Sequence, residues 1–213
     1  MTLTQKTYTG IGINGWIAGG FPAAARKDLS EFQTLASRVI DDLPCGSRVL
    51  EVASGPGLLA VELAKAGYNQ ISALDDNRSS VEAARRYVDR EGVAVRVRQG
   101  DYSAMPFPDE RFDRVVCRTS IHNFSGLLEV LNEIHRVLKP GGSALIVDVQ
   151  DESSFLSSFL TQLAFRTVLR HRVYTAERFQ QLAAECGFAR CTIEENASGF
   201  EAWVEKEPES ELN

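Results

Sequence analysis

The chain has 213 residues, 44% hydrophobic and 24% charged, which excludes a disordered or low-complexity polymer and suits one domain with an ample core. Its 29 acids against 23 bases leave a net charge of -6, the wrong sign for a protein held mainly by phosphate backbones, so no nucleic acid is expected as a partner. Four scattered cysteines, Cys45, Cys117, Cys186 and Cys191, show no CxxC spacing and are expected to be buried free thiols.

Residues 1–9 are polar and lack the basic start and continuous apolar stretch that export requires, so a cytoplasmic location is expected. Residues 11–25 are the nearest approach to a membrane segment, but Asn14, Pro22 and four glycines break them and they fall short of the ~20 residues needed to span. No membrane partner is expected. A literal GxGxxG stands at Gly10, Gly12 and Gly15, with Glu31 about where a dinucleotide fold places its ribose acid. That motif works only between a buried strand and a helix, and a polar run precedes this one. The stretch is expected instead to be a lid whose Tyr8, Trp16 and Phe21 pack over the domain. An amphipathic helix over 28–42 follows, with Leu29, Phe32, Leu35, Ala36, Val39 and Ile40 on one side.

From residue 48, short β-branched runs alternate with helical periods, the pattern of crossover units that build a parallel sheet. Strands are expected over 48–52, 70–74, 93–99, 112–118 and 143–149, with helices over 57–66, 79–91 and 124–138 between them. Residues 153–172 are helical in period and rich in Phe and Leu, an insertion suited to roofing a ligand cleft. A helix over 176–186 opens after Thr175 as N-cap and closes at Gly187. Two strands, 190–195 and 200–206, are close enough to form an antiparallel pair, and a frayed acidic tail ends the chain. The expected architecture is a single α/β domain: a Rossmann-like, mostly parallel sheet of seven strands with an antiparallel last strand and helices on both faces. Within it, 1–47 is lid and covering helix, 48–149 the core, 150–174 a helical lid, 175–206 the closing helix and strand pair, and 207–213 a disordered tail.

A second glycine-rich stretch, Glu51 to Gly57, has the context the first one lacks, because a buried strand ends in a glycine turn that starts a helix. In open parallel sheets ligands settle beyond the carboxyl ends of the strands, and glycines there let the backbone approach them closely. An NAD fingerprint needs glycine at 53, 55 and 58, whereas the chain offers Ala53, Gly55 and Leu58, so pyrophosphate is disfavoured. The other strand ends carry polar groups as well: Asp75 and Asp76, then Gly100, Asp101 and Tyr102, then Arg118, Thr119 and His122. A carboxylate at the end of the second strand can accept ribose hydroxyls. Any one of these acids alone reads as a helix cap or loop acid, but their register on consecutive strand ends favours a site.

In three places the sequence resembles the class I S-adenosylmethionine-dependent methyltransferases, and especially the small-molecule group that includes the ubiquinone and menaquinone C-methyltransferases. These are Leu50 to Gly57, Gly100 to Asp113, and Glu133 to Gly142. The resemblance implies S-adenosyl-L-methionine as cofactor, S-adenosyl-L-homocysteine as product, and transfer of a methyl group to a small organic acceptor. It places Glu51, Ala53, Ser54, Gly55 and Gly57 beside the methionine part, Asp75 with Asp76 at the ribose, and Gly100, Asp101 and Tyr102 at the adenine. The backbone near Arg118 and Thr119 would meet the ammonium group. Ala53 departs from the glycine usual in the family, a change that is tolerable if the position keeps a negative φ. The Asn/Asp-Pro-Pro-Tyr/Phe signature of amino-methylating DNA enzymes is replaced by Thr119, Ser120, Ile121 and His122.

A sulfonium methyl is already electrophilic, so no metal is needed and catalysis is mostly alignment and exclusion of water. His122 is the candidate general base or substrate-orienting group, whereas His135, inside a helix, is expected to be structural. Tyr8, Trp16, His122, Phe155, Phe159 and Tyr174 are the candidate acceptor-binding residues. Two other readings stand beside methyl transfer: a cofactor-binding protein without transfer, and a nicotinamide oxidoreductase.

Overall fold

The computed structural model describes residues 23–68, 70–118, 121, 124, 126–149, 174–196 and 199–209. Helix α1 (Ala23–Ile40) precedes strand β1 (Val49–Val52), after which α2 (Leu58–Lys65), β2 (Ile71–Asp75), α3 (Arg78–Glu91) and β3 (Val95–Gln99) alternate. Strand β4 (Phe112–Arg118), α4 (Leu127–Val137), β5 (Leu138–Val149), α5 (Ala176–Glu185), β6 (Arg190–Asn196) and β7 (Gly199–Glu205) complete the order.

The seven strands form one sheet in the order β3-β2-β1-β4-β5-β7-β6. The first five are parallel, and β7 lies antiparallel to both β5 and β6. This is the expected architecture. β1 is buried along its whole length because helices cover both faces of a central parallel strand. On one face α1 and α2 bury Leu35, Ala36, Val39, Leu59 and Leu63 against Val49, Ile71 and Ala73. α4 and α5 bury Leu131, Ile134, Phe179 and Leu182 against Leu50, Val52 and Leu74 on the other. The chain winds outward from β1 to β3 and then returns to β1's far side for β4. The connections therefore diverge between β1 and β4, the point at which sheets of this kind open a crevice.

The α3 N-terminus shows why sequence patterning works here: Asn77 caps it, accepting from the amides of Ser79 and Ser80, and Gly92 ends the helix in a left-handed conformation. Three expectations need correction. β5 begins at Leu138 rather than 143, since Leu138 pairs with Phe112 and the register shifts before Ser143 meets Arg114. Residues 207 and 208 are not frayed: the Gly141 amide donates to the Glu207 carbonyl at 3.1 Å, and Pro208 lies beside Gly141. The cysteines are free, but Cys45 is exposed and Cys191 half-buried.

The amino-terminal edge of the sheet is moored by a buried cation. Arg114 on β4, 4% exposed, donates to the Val39 carbonyl at 3.0 Å and to both oxygens of Asp42 at 2.8 and 3.1 Å, and its guanidinium lies over the Trp203 ring. The end of α1 is thereby tied to the middle of the sheet.

Candidate functional site

β1 ends in a tight turn over residues 53–57. The Ser54 amide donates to the Leu74 carbonyl at 3.1 Å and the Gly57 amide to the Ser54 carbonyl at 2.9 Å. Two glycines serve different ends. At Gly57, φ is 79° and an added Cβ would stand 3.2 Å from Ala84 Cβ on α3, so both backbone and packing require glycine. At Gly55, φ is 53° and nothing lies within 4 Å of where a Cβ would be. The backbone at Gly55 therefore borders open space, which is what a ligand needs in order to approach closely. Ala53 does not keep a negative φ, contrary to expectation: its φ is 57°. Its methyl is partly buried against the larger apolar cluster, and the left-handed conformation costs roughly 1–2 kcal/mol.

Glu51, one residue before the end of β1, points to the α2 face. It is 5% exposed, and its Oε2 accepts the Ala60 amide at 2.9 Å. Burial pushes this carboxyl up to about 8, with the Ala60 amide pulling the other way and nearby Asp75 adding to the rise. Asp75, at the end of β2 and 6% exposed, braces the turn: Oδ2 accepts the Gly55 amide at 2.8 Å and Oδ1 the Asn77 amide at 2.9 Å. Burial raises it above the ordinary carboxylate range, opposed by those two amides. The Ser54 hydroxyl is buried and finds no hydrogen-bond partner among the described residues.

The ends of β2 and β3 are joined by backbone and by a phenol. The Gly100 amide donates to the Asp75 carbonyl at 3.1 Å. The Tyr102 hydroxyl accepts the Asp76 amide at 3.0 Å and donates to Asp76 Oδ1 at 3.1 Å, while its ring packs on Phe124 with centroids 5.1 Å apart. Burial and the adjoining Asp75 carboxyl hold this phenol above its ordinary range. Asp101 is exposed and accepts from the Ser103 amide and hydroxyl, both at 2.7 Å. At the end of β4, the Arg118 guanidinium lies over the Phe32 ring and reaches Glu31 at 3.5 Å.

The fold thus brings Glu51, Ala53, Ser54, Gly55, Gly57, Asp75, Asp76, Gly100, Asp101, Tyr102 and Arg118 to the carboxyl edge of neighbouring strands. Tyr174 packs against the larger apolar cluster. Tyr8, Trp16, Thr119, His122, Phe155 and Phe159, with the GxGxxG at Gly10 to Gly15, lie outside the described residues. His135 meets Phe188 edge-on at 5.1 Å in the last turn of α4.

One group escaped the sequence reading. Arg136 donates to both oxygens of Glu133 (2.6 and 2.7 Å), to Asp109 (2.6 Å), and to the carbonyls of Phe107 (2.9 Å) and Met105 (3.2 Å). Glu133 in turn takes the Met105 amide at 2.6 Å. This clamp sets the loop that follows Asp101 and Tyr102, and it interlocks two of the three stretches singled out in sequence. Their co-occurrence was the available signal.

Residues 49–142 match a family model described as a methyltransferase domain. That stretch is similar to methyltransferase domains. Over 119 residues the chain is 37% identical to an uncharacterized methyltransferase, YcgJ, of Bacillus subtilis, a match covering 54% of this chain and 46% of that protein. It is 33% identical over 123 residues to a demethylmenaquinone methyltransferase of Deinococcus radiodurans, 57% of this chain and 51% of that one. The chain thus spans about half the length of the curated relatives it matches. Among solved structures, a SAM-dependent methyltransferase from Aquifex aeolicus superposes with a TM-score of 0.64 at 22% identity, over 84% of this chain and 98% of that one. The matched stretch carries the glycine turn and the strand-end acids on one edge of the sheet. No helix among the described residues is long and apolar enough to cross a membrane.

Proposed function

We propose that the chain is an S-adenosylmethionine-dependent methyltransferase acting on a small organic acceptor. One observation carries the reading: the bend at Gly55 opens onto free space and is pinned by Asp75, whose backbone is bonded to Gly100 beside Asp101. Glu51 and the turn at 53–57 would hold the amino-acid tail, Asp75 and Asp76 the sugar, Asp101 and Tyr102 the base. The Ser54 hydroxyl, unpartnered among the described residues, and the neighbouring carboxyl groups of Glu51, Asp75 and Asp76 fit a ligand that carries hydrogen-bond donors. When bound, S-adenosylmethionine supplies an electrophilic methyl on sulfur. The chain's own residues align the acceptor and keep water out, a task worth ~7–11 kcal/mol of barrier when geometry is near-attack. His122 is the group proposed to take a proton from a hydroxyl or acidic carbon, or to orient the acceptor. Tyr8, Trp16, Phe155, Phe159 and Tyr174 are proposed to line the acceptor's place, and the apolar character of this set favours an apolar or aromatic molecule.

Calorimetric titration with S-adenosylmethionine tests the reading, and Asp101→Asn keeps the acceptor for Ser103 while removing a charge. Binding weakened about tenfold in that variant, equivalent to ~1.4 kcal/mol, is expected. No binding heat with the native chain would sink the proposal.

A further inference from the structure

The two ends of the sheet carry opposite charge. β3 closes it on one side and β6 on the other. Arg96 and Arg98 of β3 are exposed and share the α4–α5 face, where the Arg98 guanidinium lies over Phe107 and donates to the Pro106 carbonyl at 2.8 Å. On the other face, exposed Arg85 of α3 donates to the Val97 carbonyl at 3.3 Å, which brings a third guanidinium to the strand, and exposed Arg86 stands next to it in the helix. Among the described residues none of these arginines makes an ion pair. Glu82, whose field reaches Arg85 and Arg86, is paired with Arg78 at 2.9 Å, and Asp89 is the other exposed acid of α3.

At the far end, Glu194 and Glu195 of β6 are exposed, and alternation along the strand sends them to opposite faces. Glu194 stands opposite Glu201 on the α1 face, within the field of Arg38. Glu195 stands opposite Phe200, which packs on Phe179 of α5. Arg190, at the start of β6, is taken up by Glu205 at 3.3 Å. β6 runs in the same direction as β3, because β7 is antiparallel to both of its neighbours. Followed across the ladders, Arg98 is level with Ile193, so the arginines and the glutamates lie at similar heights on the two edges.

Like charge on a free strand opposes its pairing with its own kind. Here that device leaves one combination unopposed, the arginine edge of one copy beside the glutamate edge of another. With the strands running the same way both faces match: Glu195 meets Arg96 and Arg98, and Glu194 meets Arg85. We infer that a second copy of the chain docks head to tail, its β6 edge held against the β3 edge of the first by these ion pairs. Such a contact uses two different surfaces and builds rings or open chains. The crevice between β1 and β4 lies mid-sheet, away from both edges, so the docking stands or falls separately from the methyl-transfer reading.

Sedimentation velocity of the native chain at about 0.02 M and about 1 M salt is the test, since the higher value cuts the reach of exposed charges to about 3 Å. At low salt the average mass is expected to rise with concentration past that of a pair, and at high salt to return to that of a single chain. Arg96→Glu/Arg98→Glu and Glu195→Arg should each abolish association, and an equimolar mixture of the two should restore it. Melting curves establish that the variants are folded; the salt series and Glu195→Arg decide the matter should the β3 variant misfold. A native chain that stays single at low salt overturns the inference, as does association that survives high salt or both substitutions, or a mixture of folded variants that stays apart. Retention of a single native chain on anionic vesicles would give the arginine edge to a lipid surface and overturn it equally.

Discussion

Replacing Arg136 by Met keeps the apolar stem but removes the guanidinium fork that joins Glu133, Asp109 and the carbonyls of Phe107 and Met105. Asp109 is mostly exposed, so its ion pair contributes only a few tenths of a kcal/mol. The paired bonds to Glu133, whose side chain is 15% exposed, and the two carbonyl bonds carry the rest, roughly 2–3 kcal/mol in all after solvent screening. For a chain of this size that corresponds to a fall of about 4–12 °C in melting temperature. Arg136→Lys recovers less than half of the loss, because an ammonium cannot bridge both Glu133 oxygens and two carbonyls at once. The acid limb gives an independent check. Arg136 holds Glu133 below the usual carboxylate range, so its contribution is present above the unfolded value of about 4.3 and is lost as pH falls through the folded value. Urea denaturation at about pH 7 and at several points below about pH 5 reads both effects. A midpoint stability within about 0.5 kcal/mol of the native chain would refute the clamp, as would an unchanged slope in acid.

Three further outcomes follow from the turn and its neighbours. Gly100→Ala places a Cβ 2.8 Å from Pro106 Cδ and 3.1 Å from Leu74 Cδ1. It should destabilise by about 1–3 kcal/mol in chemical denaturation. Ala53→Gly relieves the left-handed strain at the cost of a methyl contact and some unfolded-state entropy, and is expected to stabilise by up to about 1 kcal/mol, whereas Ala53→Val should destabilise. A destabilised glycine variant would show that the methyl contact outweighs the strain. Glu51 sets a pH trend of opposite sign to Glu133. Its folded value is raised, so the folded state binds the extra proton and stability falls as pH climbs from about 4.5 to about 8, by up to roughly 5 kcal/mol. Glu51→Gln should flatten that decline in melting temperature, and parallel curves would count against it.

The crossover architecture was legible because it lives in local pattern. β-branched runs, a capping Asn77 and a glycine after α3 announce themselves within a few residues. The strand-end acids were legible too, since a parallel sheet must bring successive carboxyl ends to one edge. The positive φ of Ala53 could not be read, because an alanine carries no local mark of a left-handed backbone and the turn around it is held by bonds to Leu74 and Asp75, some twenty positions away. The Arg136 clamp spans 27 to 31 positions to its loop partners, and such pairings exist only once β4 and α4 are assembled. Asp75 shows a third limit: an acid expected to face a sugar also carries the Gly55 and Asn77 amides. Its removal would loosen the turn itself.

The register of β5 with β7 has a consequence for how such a domain diversifies. Val149 sits opposite Gly199, so the polypeptide leaves the sheet at the crevice edge before Tyr174 leads into α5. The strands on either side of that departure are fixed by their own ladders. Lengthening an intervening excursion is cheap, since each doubling of a flexible connection adds only about 0.6 kcal/mol of closure entropy. Natural or laboratory evolution can therefore change the length of the connection between β5 and α5 while the ladders of the sheet stay intact.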